Sequence, residues 1–185
     1  SLGEVKSVFL AHREPLEKIT EIYCDTASLT SVNLLKVLLA ERGLRPEFRP
    51  PPNYHDAPFF PATLLIGDPA LDFLRRPHTH EIWDLGTAWF ELTGLPFVYA
   101  VWALRRGATM PELRQKLRDA RDLGLDSLDA IIAERKEYDH NFRKDYLTWN
   151  IHFHLGTDEK RGLHRFLELL RQHVSPNVWE PRYVN

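Results

Sequence analysis

Trp83-Asp84-Leu85-Gly86-Thr87-Ala88-Trp89-Phe90-Glu91-Leu92-Thr93-Gly94-Leu95-Pro96-Phe97-Val98-Tyr99-Ala100-Val101-Trp102 is the stretch on which the fold turns. It opens as a polar turn, carries a short aromatic segment, turns again at Gly94-Leu95-Pro96, and ends in Phe97–Trp102. That last run is apolar and β-rich, too short for a helix and suited to a buried strand. A strand without a polar face needs cover on both sides, so the expected architecture is α/β. In such folds the turn that feeds a buried strand often borders a ligand cleft.

Composition narrows the function classes. With 185 residues, 43% of them apolar, the chain can bury a core of one or two small domains. A net charge of -2, from 24 basic and 26 acidic residues, leaves no electrostatic footprint for nucleic acid. Cys24 is the single cysteine and cannot form an internal disulfide, which fits a reducing, cytoplasmic setting. No apolar run approaches the roughly 18 residues of a membrane span, and no signal-peptide pattern opens the chain.

Outward from the opening stretch, Val5–Ala11 alternates and then turns apolar, which predicts a strand. A strand with almost no chain before it points to a fold that begins upstream. A helical turn at Pro15–Lys18 and a second strand at Glu21–Cys24 follow. The segment Asp25-Thr26-Ala27-Ser28-Leu29-Thr30-Ser31 is rich in hydroxyls, and Val32, Leu34, Leu35, Val37, Leu38 and Leu39 then recur at helical spacing up to Gly43. Thr30 or Ser28 is a good N-cap and Gly43 a good residue just past the helix end. Hydroxyls at a helix start can cap it. They can also join its N–H groups and positive dipole end in holding a carboxylate or phosphate.

Arg49–Pro61, with Pro50-Pro51-Pro52, Tyr54 and Phe59-Phe60, is expected to be irregular. Thr63–Ile66 predicts a strand ending in Gly67-Asp68, where α/β ligand sites collect, although Asp before Pro69 is equally an N-cap. His78 and His80 fall in a polar loop. Helices are predicted from Pro111, from Ser127, across Phe142–Leu147 and over Asp158–His173, an edge strand over Asn150–Leu155, and an irregular tail from Ser175. His152 and His154 would share a strand face and could bind a metal with His164 or a carboxylate, but no motif fixes a third ligand. No signature supports a nucleophilic pair of Cys24 with a histidine, and there is no glycine-rich phosphate loop.

Four ordered blocks resemble the MqnA family of chorismate dehydratases, which act in menaquinone biosynthesis by the futalosine pathway. They are Gly3-Glu4-Val5-Lys6-Ser7-Val8, then Ser28-Leu29-Thr30-Ser31-Val32 with Leu34-Leu35, then Leu64-Leu65-Ile66-Gly67-Asp68-Pro69-Ala70-Leu71, and finally Asp84-Leu85-Gly86 with Trp89 and Thr93–Trp102. The sister naphthoate synthase family differs after Thr-Gly-Leu-Pro. The resemblance implies a fold like type II periplasmic solute-binding proteins, two α/β lobes joined by crossover strands with ligand between them. It places residues 1–12 and 96–185 in a first lobe and 13–95 in a second. The family's N-terminal third, with an Asn of the catalytic site, has no counterpart here, so the first lobe is incomplete unless another segment or chain supplies it.

The implied reaction is loss of water from chorismate, giving 3-[(1-carboxyvinyl)oxy]benzoate with no cofactor. Ser7 matches the family's catalytic Ser. Ser28, Thr30 and Ser31 match a carboxylate-binding helix start. Asp68 is expected to orient a hydroxyl or cap its turn. Thr93 and Gly94 are expected to border the cleft, with Trp89 either beside them or in the core. Leu29 stands where the family often has Arg, which removes one anion partner. The alternative is a noncatalytic solute-binding module of the same fold for a small aromatic carboxylate. A further alternative is an enzyme of the same pathway acting on a naphthoate precursor.

Overall fold

The computed structural model describes residues 1–24, 28–51, 53, 56, 59–105, 107 and 110–183. Asp25, Thr26 and Ala27 of the hydroxyl-rich segment, Pro52 and Tyr54 of the proline-rich one, and the last two residues of the tail lie outside this set. Contacts gather the chain into two units, Ser1–Tyr99 with Leu155–Asn185, and Ala100–His154.

In the first unit, strand β1 (Val8–His12) is buried at every position. It runs antiparallel to β4 (Ala62–Ile66), with Val8 opposite Ile66, and antiparallel to β5 (Glu81–Asp84), with Phe9 opposite Asp84. Strand β2 (Glu21–Cys24) is parallel to β4 and to the short β3 (Glu47–Arg49), so the sheet order is β3-β2-β4-β1-β5. Side chains alternate across a strand, and here both faces are used. Val8 and Leu10 pack with Leu64 into the large core built from α1 (Leu29–Glu41), α3 (Leu85–Thr93) and α7 (Thr157–His173). Phe9, Ala11 and Leu65 pack on the other face against Ala70 and Phe73 of α2 (Asp68–Leu74). The apolar positions expected on α1 are buried, and Gly43 follows the helix end at a φ of +74°, a left-handed turn that glycine makes without strain.

Trp89 is the largest fully buried side chain. Its ring meets Phe97 and Phe166 edge-on at 5.3 and 6.1 Å, an arrangement that aligns ring edge with ring face. Its indole Nε1–H donates to the Pro96 carbonyl at 3.2 Å. That same carbonyl lies against Gly162 of α7, where an added Cβ would come within 2.0 Å of the oxygen. Helix α7 therefore packs on the Leu95-Pro96 turn through a residue that must lack a side chain.

Several expectations are corrected. Phe97–Trp102 is not a strand: Phe97 exchanges backbone hydrogen bonds with Ser1, at 3.0 and 2.9 Å, and the ladder goes no further. Apolar character alone cannot hold an extended segment without a partner, and Trp102 is 67% exposed. The opening of the Trp83–Trp102 stretch, expected as a polar turn, is instead the end of β5 and the start of α3, and the segment expected to be irregular from Arg49 begins on the last residue of β3. Strand β1 pairs between β4 and β5, so residues 8–12 share one sheet with strands of 13–95.

The second unit holds α4 (Pro111–Asp126), α5 (Leu128–Glu134) and α6 (His140–Asp145), which continues as a π-helical turn at Tyr146–Asn150. Asn150–Leu155 is not an edge strand, because residues 151–155 pair with no strand among the described residues. The Arg143 guanidinium binds this unit together, donating to the Ile132 carbonyl at 3.2 and 3.0 Å and to Glu137 O at 3.1 Å. These are carbonyls at and beyond the end of α5, where a cation suits the helix dipole.

His80, just before β5, is buried, and its Nε2–H donates to Phe60 O at 2.7 Å. Nδ1 is then the unprotonated nitrogen, and it meets no partner among the described residues. Burial lowers its pKa, opposed by the Phe60 bond and aided by the charges of Arg13, His78 and His12.

Three outcomes follow for stability. Gly162→Ala should destabilise the fold by about 1–3 kcal/mol, the cost of overpacking, despite the roughly 1 kcal/mol that Ala gains over Gly in a helix. Gly124→Ala in α4, with nothing within 4 Å of its added Cβ, should be neutral or stabilising; urea unfolding reads both. Because the unfolded state binds the His80 proton more tightly than the folded state, stability should fall as pH drops from 6.5 towards the lowered folded value. His80→Phe should flatten the unfolding free energy across that window relative to the parent.

Candidate functional site

Strand direction decides what meets at each end of the sheet. Strands β2, β4 and β5 run one way and β1 runs the other, so the start of β1 lies with the carboxyl ends of the other three. Each of those ends leads into a helix: β2 towards α1, β4 into α2, and β5 into α3. The start of one strand and three helix N-termini thus share one end of the sheet, the end at which α/β folds place ligands.

Ser7 is the residue that enters β1 there. It is buried, with its amide on Val5 O at 2.8 Å, its hydroxyl donating to the same carbonyl at 3.5 Å, and its own carbonyl accepting from Gly67 N–H at 2.7 Å. The last bond seats Ser7 beside the Gly67–Asp68 start of α2. The tight 5–7 turn requires Lys6 at a φ of +62°, a conformation that costs a non-glycine residue about 1–2 kcal/mol. What holds it is Asp84. Its Oδ2 accepts from Lys6 N–H at 2.8 Å and from Val5 N–H at 3.2 Å, and its Oδ1 from Val5 N–H at 3.1 Å. The same Oδ1 accepts from Thr87 N–H at 2.9 Å and so caps α3. Nearby, burial and then the charge of Asp84 keep the Tyr99 phenol well above its usual pKa, so it remains a neutral hydroxyl.

At α1, Ser28 is the N-cap and accepts from Ser31 N–H at 3.4 Å, while its hydroxyl donates to Ser31 Oγ at 3.1 Å. Ser31 is buried and Thr30 half-buried. Leu29, the first helical residue, is 70% exposed, so an apolar side chain faces solvent at the helix start. Thr30 sits in the first turn, whose N–H groups lack intrahelical acceptors. The capping use of Ser28 is therefore realised, and Thr30 is the hydroxyl with room to do more.

Asp68 is exposed at the first position of α2, with Gly67 as the N-cap, so it supports the helix through the dipole and not as the cap. Ser7, Ser28, Thr30, Ser31 and Asp68 all come to this end of the sheet. Thr93 and Gly94 do not join them. They close α3 at the end away from Asp84: Thr93 Oγ1 donates to Trp89 O at 2.8 Å and accepts from Leu95 N–H at 3.2 Å, and Gly94 takes a φ of +65° as the C-cap. Their neighbour Trp89 is core.

The histidine candidates are placed as follows. The His152 and His154 rings are stacked at 5.7 Å, whereas His164 faces Glu180, 3.6 Å from Nδ1 to the carboxylate, with its ring against Tyr183. Cys24 is buried at the end of β2. Residue-level reasoning passed over Asp84, although an Asp followed by a helical apolar pattern and a closing Gly94 is an N-cap signature.

A family model described as menaquinone biosynthesis matches residues 1–172. A chorismate dehydratase of Thermus thermophilus is 36% identical over 194 residues, spanning 95% of this chain and 72% of that protein. The crystal structure of a protein from Archaeoglobus fulgidus superposes with a TM-score of 0.65 at 16% identity, covering 93% of this chain and 69% of that one, and shows the same mixed α/β fold.

Proposed function

This chain belongs to the menaquinone biosynthesis family, and from that membership we propose that it is a chorismate dehydratase, a carbon-oxygen lyase that converts chorismate to 3-[(1-carboxyvinyl)oxy]benzoate. The relationship to the Thermus enzyme supports this reading. The observation that carries it in the fold is the gathering of Ser7 with the hydroxyl-bearing start of α1 at one end of the sheet.

The reaction removes a ring proton and a ring hydroxyl as water, and aromatisation drives it. The protein's task is to hold a dicarboxylate, orient the leaving hydroxyl and stabilise developing charge. In this reading Ser7 hydrogen-bonds to the reacting ring, and Thr30 and Ser31, with the N–H groups of the α1 start, hold a carboxylate. Asp68 orients a substrate hydroxyl from the start of α2. The wider architecture is the type II periplasmic-binding-protein plan, with the Ser1–Tyr99 and Leu155–Asn185 unit as one α/β lobe. The setting is the cytoplasm, where Cys24 stays reduced, and the pathway is the futalosine route.

Incubation with chorismate, followed by mass spectrometry, should show loss of one water. Ser7→Ala should lower kcat about 100-fold or more with little change in KM, as for a group acting mainly in the transition state. An equal loss in both parameters, or none, counts against Ser7. Thr30→Ala with Ser31→Ala should instead raise KM by roughly tenfold, the value of one charge-assisted hydrogen bond; unchanged KM would return both residues to helix capping. Tight binding of chorismate without turnover would replace the dehydratase with a solute-binding module, the reading that exposed Leu29 at the α1 start favours.

A further inference from the structure

We propose that Asp84 is the positioning residue for Ser7, fixing the turn from which its hydroxyl reaches the substrate. The inference rests on the dehydratase reading above. Ser7 occupies the third position of a turn whose middle residue, Lys6, is held at a φ of +62°. A strained turn persists only where its surroundings over-determine it. Here the Asp84 carboxylate holds the two amides before Ser7, accepting from Val5 N–H with both oxygens and from Lys6 N–H with Oδ2.

The anchor is itself fixed. Asp84 ends β5, where the ladder sets Asp84 opposite Phe9, and it caps α3 through Thr87 N–H. One residue further on, Gly86 lets the entering chain lie flat on the first turn of α3: a Cβ there would come within 2.3 Å of Gly3 O. Gly3-Glu4-Val5-Lys6-Ser7 and Asp84-Leu85-Gly86 are therefore two halves of one clamp, the second gripping the first by two carboxylate oxygens and one bare Cα. Ser7 O, bonded to Gly67 N–H, fixes the far side. With both sides of the residue held, the position of Oγ follows from the backbone, and Asp84 acts on catalysis through Ser7 without touching substrate.

Two substitutions separate clamping from capping. Asp84→Asn keeps an acceptor for Thr87 N–H but turns an NH2 group towards Lys6 N–H. Asp84→Ser retains a good N-cap and is too short to reach Lys6. Both should lower kcat for water loss from chorismate at least tenfold, leave KM within about threefold, and have no further effect in a Ser7→Ala background, because residues acting as one unit are not additive. Unchanged kcat, a parallel rise in KM, an undiminished effect in the Ser7→Ala background, or failure of both cap-retaining variants to fold would each overturn the assignment. Hydrogen exchange on the unmodified chain reads the clamp directly: Val5 and Lys6 amides should exchange as slowly as those of β1, and free exchange overturns it. No water loss by the unmodified chain would overturn the dehydratase reading and this assignment together. Turnover by that chain with the Asp84 variants unaffected would overturn the assignment alone.

Discussion

The opposed direction of β1 is the constraint from which the rest follows. A strand flanked on both sides by antiparallel neighbours and buried on both faces has one register open to it, because a slip of one residue would exchange Val8 and Leu10 for Phe9 and Ala11 between two cores of different shape. Once that register is set, the start of β1 must lie beside the carboxyl ends of β4 and β5, and through β4 beside that of β2. The candidate site is thus a consequence of strand direction before any functional side chain is considered.

Local chemistry then closes the arrangement. The chain reaches β1 through a turn that its own residues do not favour, since Lys6 is not a glycine. A single carboxylate on the neighbouring strand supplies acceptors for the turn and for the first turn of α3 together. Economy of this kind couples elements distant in sequence: Val5 and Asp84 are separated by 79 positions. It also explains why Gly86 belongs beside Asp84, for the carboxylate can grip the entering backbone only if the backbone can approach.

What was legible in the sequence was what periodicity and punctuation encode locally. The strands β1, β2 and β4, the helix α1 with its serine cap and closing Gly43, and the amphipathic α7 all follow from such signals. The apolar run Phe97–Trp102 reports a wish for burial and says nothing about a strand partner: Phe97 pairs with Ser1 and packs on the rings of Trp89 and Phe166, Tyr99 packs on Phe97 and the core, and no ladder forms. Asn150–Leu155 failed likewise, its alternation being too short to outweigh the helical turn before it. Gly86 suggested a turn, whereas its lack of a side chain serves a tertiary approach inside a helix. Of the candidate site, the α1 hydroxyls are legible as a helix start suited to capping or to an anion, whereas Ser7 enters only through resemblance. The grouping that brings them together required the sheet, as did the separation of Thr93 and Gly94 from them.

The two ends of α3 show how one helix can serve the site at one terminus and the core at the other. At its start, Asp84 spends part of a charge on Thr87 N–H and the rest on the turn that carries Ser7. At its end, Thr93 and Gly94 turn the chain so that Pro96 O meets the Trp89 indole, and Gly162 lets α7 close over that carbonyl. Trp89 lies between, fully buried. A loosened core at Pro96 would therefore be felt at Asp84, since the helix that presents the carboxylate is held in place by the packing of its far end. The block from Asp84 to Phe97 is a mechanical unit as much as a sequence signature. Its first residue holds the turn that leads to Ser7, and the packing of the remainder holds that residue in place.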